Sequence, residues 1–477
     1  MSDWIPAGLR QVLGGMAGPG QAYLVGGCVR DWLRGRHPKD FDIEVYGLGY
    51  EALARALQRW GRTDLVGRSF GVVKLTLREG ETYDFSVPRR DSKVAPGHKG
   101  FTVTLDPDIT PREAAARRDF TINALMFDPR RGEVLDFFGG QADLRQGVLR
   151  HTSEAFVEDP LRVLRGMQFA ARFDFVGAPE TLALCRSIEG SCRELAVERV
   201  REEWFKWAEK SVRPSAGLRF LAAAGWLGHF PEVDALRGVP QDPEWHPEGD
   251  VFVHTNHCLD ALVTLPGWQE ADPETRIVLS LAVLAHDFGK VGTTREEERE
   301  GRRRIVSPGH EEAGGPLAES FLERINAPHA IRERVLPLVT NHLAHLQAGT
   351  DRAVRRLARR LAPESIRHLV LVITADQFGR PPRPREVSAG VRDLEARAGA
   401  LQLAASAPQP LLLGRHLIEL GLRPGPQFGE ILAAAFEAQL EGEFFDLDEA
   451  LGWLAGRTDL ALPPEAAARL RARSGRS

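Results

Sequence analysis

The sequence has few cysteines and no long apolar run. Its four cysteines lack Cys-x-x-Cys spacing, which argues against a disulfide framework or a structural zinc site and favours a reducing compartment. The apolar runs at residues 279–285 and 369–373 are far shorter than the roughly 18 residues of a membrane span. Because the N-terminus also lacks a basic segment followed by an apolar one, we interpret the protein as cytoplasmic, without membrane contact.

The net charge of the protein is also small. The formal charge of −4 gives no overall reason to expect a nucleic-acid partner, so charge has to be examined segment by segment. A composition of 43% hydrophobic and 27% charged residues excludes collagen-like, wholly disordered and membrane-embedded classes. The 477 residues predict two to four domains, at roughly 100 to 200 residues each.

Secondary-structure signals change along the chain. Short β-rich runs at residues 22–25, 41–46, 72–77 and 82–87 surround one predicted helix near 50–60. From about Asp159 onward, apolar residues recur at helical spacing, and Pro-rich segments at 238–249 and 378–385 interrupt that pattern. The sequence therefore predicts an α+β protein, in which a head of mixed β-sheet and helices precedes helical units that are almost wholly α.

Two features of the head suggest phosphate chemistry. Gly26 and Gly27 form a predicted turn between a strand and a helix, where backbone N–H groups can face a phosphate, although most such turns only reverse the chain. Asp40 and Asp42 are two residues apart in a predicted strand, so both carboxylates point to one face. Such a pair suits Mg²⁺ and metal-assisted nucleotidyl transfer, whereas the alternative is a solvated strand edge. Asp84 is a possible third carboxylate.

A family resemblance follows from these motifs. Gly26-Gly27-x-Val29-Arg30-Asp31 with Asp40-x-Asp42 resembles the signature of the class II nucleotidyltransferases, the tRNA CCA-adding enzymes and bacterial poly(A) polymerases. Segments 117–124, 136–144, 150–151, 158–165 and 169–172 agree with that family in order. The resemblance implies a nucleotidyltransferase head over residues 1–150, a helical neck over 151–237, and catalytic Asp40 and Asp42 that hold Mg²⁺.

The neck offers groups for base recognition. Pro160 suits a first helical turn, which places Asp159, Arg162 and Arg165 on one face as adjacent acceptor and donors. Cytosine and adenine both present an amino donor beside a ring-nitrogen acceptor, so such a pair selects C and A. The resemblance assigns this role to Asp159 and Arg162. The alternative is an ordinary intrahelical ion pair.

Other head residues suit the rest of a nucleotide. The predicted contacts to triphosphate come from Gly26, Gly27, Arg30, Arg117 and Arg118, with Asp119 orienting an arginine and Asn123 available for the sugar. Two consecutive arginines are otherwise usually a solvated surface.

The middle of the chain carries dispersed histidines and aspartates. Their order resembles the HD-superfamily phosphohydrolases from residue 245 to about residue 380, within a predicted domain of residues 238–385. The predicted metal ligands are His254, His286, Asp287, His310, His342 and Asp376. The resemblance implies a divalent or transition metal of unknown identity and a phosphohydrolase or 2′,3′-cyclic phosphodiesterase activity. Taken singly, each histidine is more often an ordinary core or surface residue.

Arginines recur at helical spacing at 352, 355, 356, 359 and 360, and others lie in the neck at 193, 199, 201 and 213. Such residues can contact the phosphates of a tRNA acceptor arm, or they can form a solvated face paired with Glu. The helical tail, residues 386–477, is predicted to bind tRNA. The aromatics of residues 204–207 are predicted to lie in the core.

The predicted function is template-independent addition of CCA to the tRNA 3′ end, with CTP and ATP as substrates. A CC-adding or A-adding specialist and a poly(A) polymerase share the same motifs. An alternative of another class is an HD phosphohydrolase whose head only senses nucleotide. The sequence leaves open the number of nucleotides added and the oligomeric state.

Overall fold

The computed structural model describes residues 3–16, 20–65, 71–93, 101–299, 301–457, 460, 462, 465–468 and 470. The chain forms two compact units, Met1–Ala235 with Phe321–Ala327, and Leu236–Ser320 with Pro328–Ser477. The finer division into four domains stays a prediction. Within the described part of the chain, no helix is both long and apolar enough to cross a membrane.

The first unit contains a seven-stranded mixed sheet, in the order β3-β4-β5-β2-β1-β8-β9. Strands β2 and β5 are parallel, and the other neighbours are antiparallel. The strands of this unit are β1 Gln21–Val25, β2 Asp42–Tyr46, β3 Gly61–Asp64, β4 Val72–Leu77, β5 Thr82–Ser86, β6 Arg89–Lys93, β7 Phe101–Leu105, β8 Met126–Asp128, β9 Glu133–Leu135, β10 Val148–Leu149 and β11 Val176–Gly177. The predicted mixed-sheet head is confirmed.

Alternation of apolar residues explains why these segments form strands. Along β4, every second side chain, Val73, Leu75 and Leu77, is buried in the core beneath the sheet. Ile43 of β2 and Phe85 of β5 are fully buried in the same core. Because side chains alternate between faces, residues 42, 44, 84 and 86 project from the opposite face of the sheet.

Helices complete the first unit. They are α1 Ala7–Gly15, α2 Gly27–Leu33, α3 Tyr50–Gln58, α4 Pro111–Ala116, α5 Gly140–Gln146, α6 Leu161–Phe173, α7 Pro179–Ser187, α8 Val197–Lys210, α9 Pro214–Ala223 and α10 Pro231–Asp234. Helix α6 packs against α8 and α9. Trp204 and Trp207 of α8 are fully buried and in edge contact, so their predicted place in the core is confirmed.

The second unit is mainly helical. Its helices are α11 Val251–Leu262, α12 Pro266–Gln269, α13 Pro273–Ala285, α14 Lys290–Thr293, α15 His310–Arg324, α16 His329–Thr340, α17 Asp351–Leu361, α18 Ile366–Phe378, α19 Ala389–Ala400, α20 Gly414–Glu419, α21 Pro426–Glu441 and α22 Leu447–Gly456. The last four residues of α15, from Phe321 to Arg324, belong to the first unit. Helices α11, α13, α16 and α18 pack around one another.

One hairpin interrupts the predicted helical pattern. Strands β12 Arg295–Arg299 and β13 Arg302–Val306 pair in antiparallel fashion. Their sequence is almost entirely Arg and Glu, so it lacks the apolar alternation that predicts a strand. Oppositely charged side chains face each other across the pair, as Glu298 does opposite Arg303, and favour the pairing.

The arginine stripe of α17 packs against α21. Arg352 lies 2.5 Å from a Glu441 oxygen, and Arg356 and Arg359 form ion pairs with Glu437. These guanidinium groups are thus already paired with carboxylates. The alternative of a helix face paired with Glu describes this stripe better than a phosphate-binding surface does.

Candidate functional site

A cavity of about 660 Å³ lies in the first unit. Among the described residues, its lining includes eight arginines and five carboxylates: Arg30, Arg89, Arg117, Arg118, Arg162, Arg165, Arg172, Arg199, Asp42, Glu44, Asp84, Asp119 and Asp159. The excess of positive charge suits a polyanion such as a nucleoside triphosphate. Of the twelve site residues predicted in the head and neck, all line the cavity except Asp40.

Three of the five carboxylates, Asp42, Glu44 and Asp84, come from the face of the sheet opposite the core. Asp42 opens β2, and Asp84 is its register partner on the parallel strand β5, which settles the open question about Asp84. Burial raises the pKa of Asp42, and the nearby charges of Asp84, Asp40 and Glu44 raise it further against the opposing effect of Arg118. Carboxylates gathered in this way favour a bound cation.

An oxygen without a hydrogen bond supports the same conclusion. Asp84 Oδ1 is buried and accepts no hydrogen bond from the described residues, and its ion pair with Lys74 Nζ is long, at 4.0 Å. Oxygen-only donors are those that hard divalent cations prefer. Asp42 and Asp84 therefore fit such a cation, which would complete the coordination of this oxygen.

Asp40 differs from the sequence prediction. It is exposed and precedes β2, so it is not in the strand that was predicted to hold both carboxylates. The physical reason is the turn on the neighbouring strand: Val25 is the last residue of β1 and pairs with Asp42, so no partner remains for residues before Asp42. Asp40 still acts on Asp42 electrostatically.

Gly26 allows an arginine to approach the turn. Its φ of +71° lies in the left-handed region, and a Cβ there would lie 2.7 Å from Arg118 Nη1. Arg118 Nη2 donates to Glu44 Oε1 at 2.8 Å. The glycine turn thus makes room for a guanidinium beside the carboxylates.

A network of buried hydrogen bonds holds another group of cavity residues in place. Arg30 Nη1 donates to Asn123 Oδ1 at 2.5 Å, Asn123 Nδ2 donates to Asp119 Oδ1 at 2.9 Å, and Arg165 Nε donates to Asp119 Oδ2 at 2.7 Å. Burial acts to raise the pKa of Asp119, but Arg165 and the hydrogen bonds outweigh it and hold the pKa below its ordinary value. Asp119 therefore orients an arginine, as the sequence suggested, and Asn123 holds Arg30.

The neck residues are arranged differently from the expected helical face. Asp159 precedes α6 and its Oδ1 accepts from the Leu161 N–H. Its Oδ2 accepts from Arg199 Nη2 of α8 at 3.1 Å. Arg162 instead donates to the main-chain oxygens of Ala155 and Arg117. The direct partner of Asp159 is thus Arg199, which the sequence placed among general phosphate contacts, because the spacing of 40 residues carries no periodic signal.

The second unit brings the six predicted histidines and aspartates together. None is more than 8% exposed: His254, His286, Asp287, His310, His342 and Asp376. We call these six residues the His–Asp cluster. His254 Nε2 lies 3.0 Å from Asp376 Oδ1, and His310 Nε2 lies 3.1 Å from His342 Nε2 and 3.3 Å from Asp287 Oδ1. They lie directly after α13 and α16, at the start of α15 and in the interiors of α11 and α18.

The His–Asp cluster fits a metal ion. His286 Nε2 is buried and has no hydrogen-bond partner within the described part of the protein. Burial lowers the pKa of His342 to about 3, so this imidazole is neutral and keeps a lone pair for a cation. Mixed imidazole and carboxylate donors are typical of transition-metal sites.

Sequence reasoning missed several neighbours of this cluster. Glu248 is fully buried, and its Oε1 lies 2.7 Å from His254 Nδ1 and 2.9 Å from His246 Nδ1. Lys290 Nζ lies 2.8 Å from Asp287 Oδ2, and Cys258 contacts His254. The segment of His246 and Glu248 was interpreted as Pro-rich punctuation. For Cys258, its position four residues after His254 was the available signal.

The chain is similar in sequence to a known family and to named relatives. Residues 22–150 match the family model described as "Poly A polymerase head domain". The chain is 39% identical over 426 residues to the "Multifunctional CCA protein" of Xanthomonas campestris pv. campestris, with 87% of this chain and 96% of the relative covered. It is 38% identical over 434 residues to the protein of the same name from Halorhodospira halophila, with 87% and 95% covered.

Solved structures share the fold. The "Thermotoga maritima CCA-adding enzyme complexed with tRNA_CCA" has a TM-score of 0.58 at 22% identity, covering 95% of this chain and 97% of that one. The "Bacillus stearothermophilus CCA-adding enzyme in complex with CTP" has a TM-score of 0.63 at 20% identity, covering 93% and 94%. On the evidence of its sequence relatives, the chain belongs to the multifunctional CCA proteins, within the family of class II CCA-adding enzymes and bacterial poly(A) polymerases.

Proposed function

We propose that this enzyme adds CCA to the tRNA 3′ end, taking CTP and ATP as substrates. The observation that supports the proposal most strongly is the cavity in which eight arginines surround a triphosphate-sized space with carboxylates on one wall. The names of its relatives, multifunctional CCA proteins, agree with this activity. The 3′ hydroxyl of the tRNA attacks the α-phosphate, and pyrophosphate leaves.

Two arginines of the cavity are placed to bind the triphosphate. Arg118 beside the glycine turn and Arg30 from α2 face the space for phosphate oxygens, where guanidinium groups bind bidentately. Glu44 and Asn123 hold these two arginines in place before nucleotide arrives. Such preorganisation lowers the ordering cost of binding a flexible triphosphate.

The fold implies a divalent cation, and we propose Mg²⁺ at Asp42, Asp84 and Asp40. When bound, it supplies stabilisation of the negative charge that develops on the attacking and leaving oxygens. Asp42 and Asp84 fit this role through their shared face and through the Asp84 oxygen, which accepts no hydrogen bond from any described residue. Asp40 stays a predicted ligand.

Base choice is proposed for the neck. Asp159 offers a carboxylate acceptor for an exocyclic amino group, and Arg162 lies one helical turn further with its guanidinium held by main-chain oxygens. Uracil and guanine present a carbonyl oxygen where cytosine and adenine present the amino group. The Asp159 carboxylate has no proton to donate to this carbonyl oxygen and would repel it.

The test compares aspartate variants in nucleotide incorporation. Asp40→Ala and Asp42→Ala should each abolish incorporation of radiolabelled CTP and leave tRNA affinity nearly unchanged. Asp64→Ala, which removes an exposed carboxylate of β3 that pairs with Arg62, is the matched control and should retain activity. Substantial incorporation by both Asp40→Ala and Asp42→Ala would refute the metal assignment.

A second activity is favoured by the His–Asp cluster, whose buried donors fit a divalent or transition metal. We propose that it is a phosphohydrolase site of the HD type, acting on phosphoesters such as 2′,3′-cyclic nucleotides. His286→Ala and Asp287→Ala should abolish metal-dependent hydrolysis, whereas His329→Ala, at an exposed histidine of α16, should not. Hydrolysis that persists in both cluster variants would contradict the proposal.

A further inference from the structure

The helix α11 presents a cysteine to the His–Asp cluster. Cys258 follows His254 by four residues, so both side chains lie on one face of the helix. The thiol is fully buried. Its Sγ lies 3.3 Å from His254 Nε2, and it also contacts His286. The donor atoms of His254, Cys258, His286 and Asp376 all lie within 4.8 Å of one another.

The orientation of His254 points its Nε2 toward this group. Glu248 Oε1 lies 2.7 Å from His254 Nδ1, which leaves Nε2 available for a metal. Nε2 is 3.0 Å from Asp376 Oδ1 and is the nitrogen nearer to the sulfur, at 3.3 Å against 3.7 Å for Nδ1. A carboxylate on the far nitrogen is the usual way to fix the tautomer of a metal-binding histidine. In a tetrahedral zinc site, the S···N separation is about 3.6 Å, given Zn–S near 2.3 Å and Zn–N near 2.05 Å.

Two observations argue against an ordinary core cysteine. The thiol donates to the main-chain oxygen of Asp376 at 3.8 Å, a long contact even for sulfur. The chain also leaves room for the sulfur, since a Cβ on Gly379 would lie only 2.3 Å from Cys258 Sγ. The thiol thus lies beside titratable donor groups of the His–Asp cluster.

We infer that Cys258 is a ligand of the metal in the His–Asp cluster, and that the set His254, Cys258, His286 and Asp376 takes a thiophilic ion such as Zn²⁺ or Co²⁺. A thiolate favours these ions over Mg²⁺, which prefers oxygen donors. The inference rests on the proposed metal site of the second unit. It adds a sulfur donor and thereby the class of metal.

The experiment is X-ray absorption at the zinc edge on the full chain loaded with one equivalent of Zn²⁺. We expect one sulfur at about 2.3 Å together with nitrogen and oxygen at about 2.0–2.2 Å. This measurement uses the unaltered protein, so it does not depend on a variant that folds. A shell of nitrogen and oxygen alone would overturn the inference.

Variants assign the sulfur to one residue. Cys258→Ser should remove the sulfur shell, and with Co²⁺ it should also remove the sulfur-to-cobalt charge-transfer band. Its Zn²⁺ affinity should fall by more than the roughly 10–100-fold typical of losing a group that only orients a ligand. Cys192→Ser is the matched control and should keep both signals, since Cys192 lies in the first unit. A sulfur shell that survives in Cys258→Ser would contradict the inference.

Hydrolysis of 2′,3′-cyclic nucleotide, measured on the same samples, separates the two proposals. A sulfur shell without hydrolysis would uphold the ligand and refute the hydrolytic function. Hydrolysis without a sulfur shell would uphold the function and refute Cys258 as a ligand.

Discussion

Asp84 lies beside Asp42 on the neighbouring parallel strand, in direct register, on the wall of the arginine-lined cavity. Its Oδ1 is buried and receives no hydrogen bond from the part of the chain that the structure describes. The two strands are far apart in sequence, so only the sheet order brings the carboxylates together. Asp84 is therefore as well placed as Asp42 to hold a cation.

Asp84→Asn should reduce CTP incorporation by on the order of 100-fold or more, because it removes one anionic ligand from the proposed cation site. Incorporation as a function of Mg²⁺ concentration measures this, and higher Mg²⁺ should restore part of the activity. Asp64→Asn serves as the control on the same sheet. Unchanged incorporation and unchanged Mg²⁺ dependence in Asp84→Asn would exclude Asp84 from the site.

Much of the first site was predictable because its motifs are local. The glycine turn, Asp42 and Arg118 occur in short segments whose residue types carry the chemistry. Asp84 could be suggested only as a candidate, because its position beside Asp42 depends on the parallel pairing of β2 and β5. The pairing of Asp159 with Arg199 depends on the packing of α8 against α6, which periodicity does not encode.

The same distinction holds in the second unit. His286 and Asp287 are adjacent in sequence and were recognised, whereas Glu248 lies in a Pro-rich segment without helical or strand periodicity. Its burial against His254 arises from the tertiary fold. The charged hairpin β12–β13 was missed because its runs of Glu and Arg give no apolar alternation.

Arg199→Ala should relax nucleotide choice, because Arg199 holds the Asp159 carboxylate in position. We expect discrimination of CTP and ATP against UTP and GTP to fall by roughly 10–100-fold, the value of one good base contact. Competition assays with paired nucleotides measure the ratio of kcat/KM. Arg213→Ala, which breaks an exposed pair with Asp174, is the control. Unaltered selectivity in Arg199→Ala would show that Arg199 does not position Asp159.

Asp119→Asn should destabilise the first unit by about 3 kcal/mol, since it leaves Arg165 without its anionic partner in a largely buried network. The native pKa of Asp119 lies below its ordinary value of 3.8, so the stabilisation is present above that pH and is lost as pH falls through the native pKa. The urea-unfolding free energy, measured from neutral to acidic pH, should therefore depend less on pH in Asp119→Asn.

The control for that experiment is Asp174→Asn, whose pair with Arg213 is about half exposed on both sides. An exposed pair contributes about 0–1 kcal/mol. Equal losses of stability in the two variants would contradict the role assigned to the Asp119 network.

Glu248→Ala should lower the metal affinity of the His–Asp cluster by roughly 10–100-fold, because His254 loses the carboxylate that fixes its orientation. Titration with Zn²⁺ against a competing chelator measures the change. Glu333→Ala removes the partner of the exposed His329 and should leave the affinity unchanged. An unaffected affinity in Glu248→Ala would show that Glu248 does not orient a ligand.

Arg356→Ala should change tRNA affinity by less than about twofold, because Arg356 is already engaged by Glu437 and Glu441. The variant should remain folded, because each exposed ion pair that it loses contributes at most about 1 kcal/mol to stability. Binding measured over a range of salt concentrations should give an unchanged slope. A smaller slope with weaker binding would instead make Arg356 a phosphate contact.

The most direct test of the account is incubation of the protein with Mg²⁺, labelled CTP and ATP, and three RNAs. These are a tRNA that lacks CCA, a tRNA that ends in CC, and an RNA unrelated to tRNA. We expect the enzyme to complete CCA on the first, to add one A to the second, and then to stop. Long A-tails on the unrelated RNA, or no incorporation into any of the three, would contradict it.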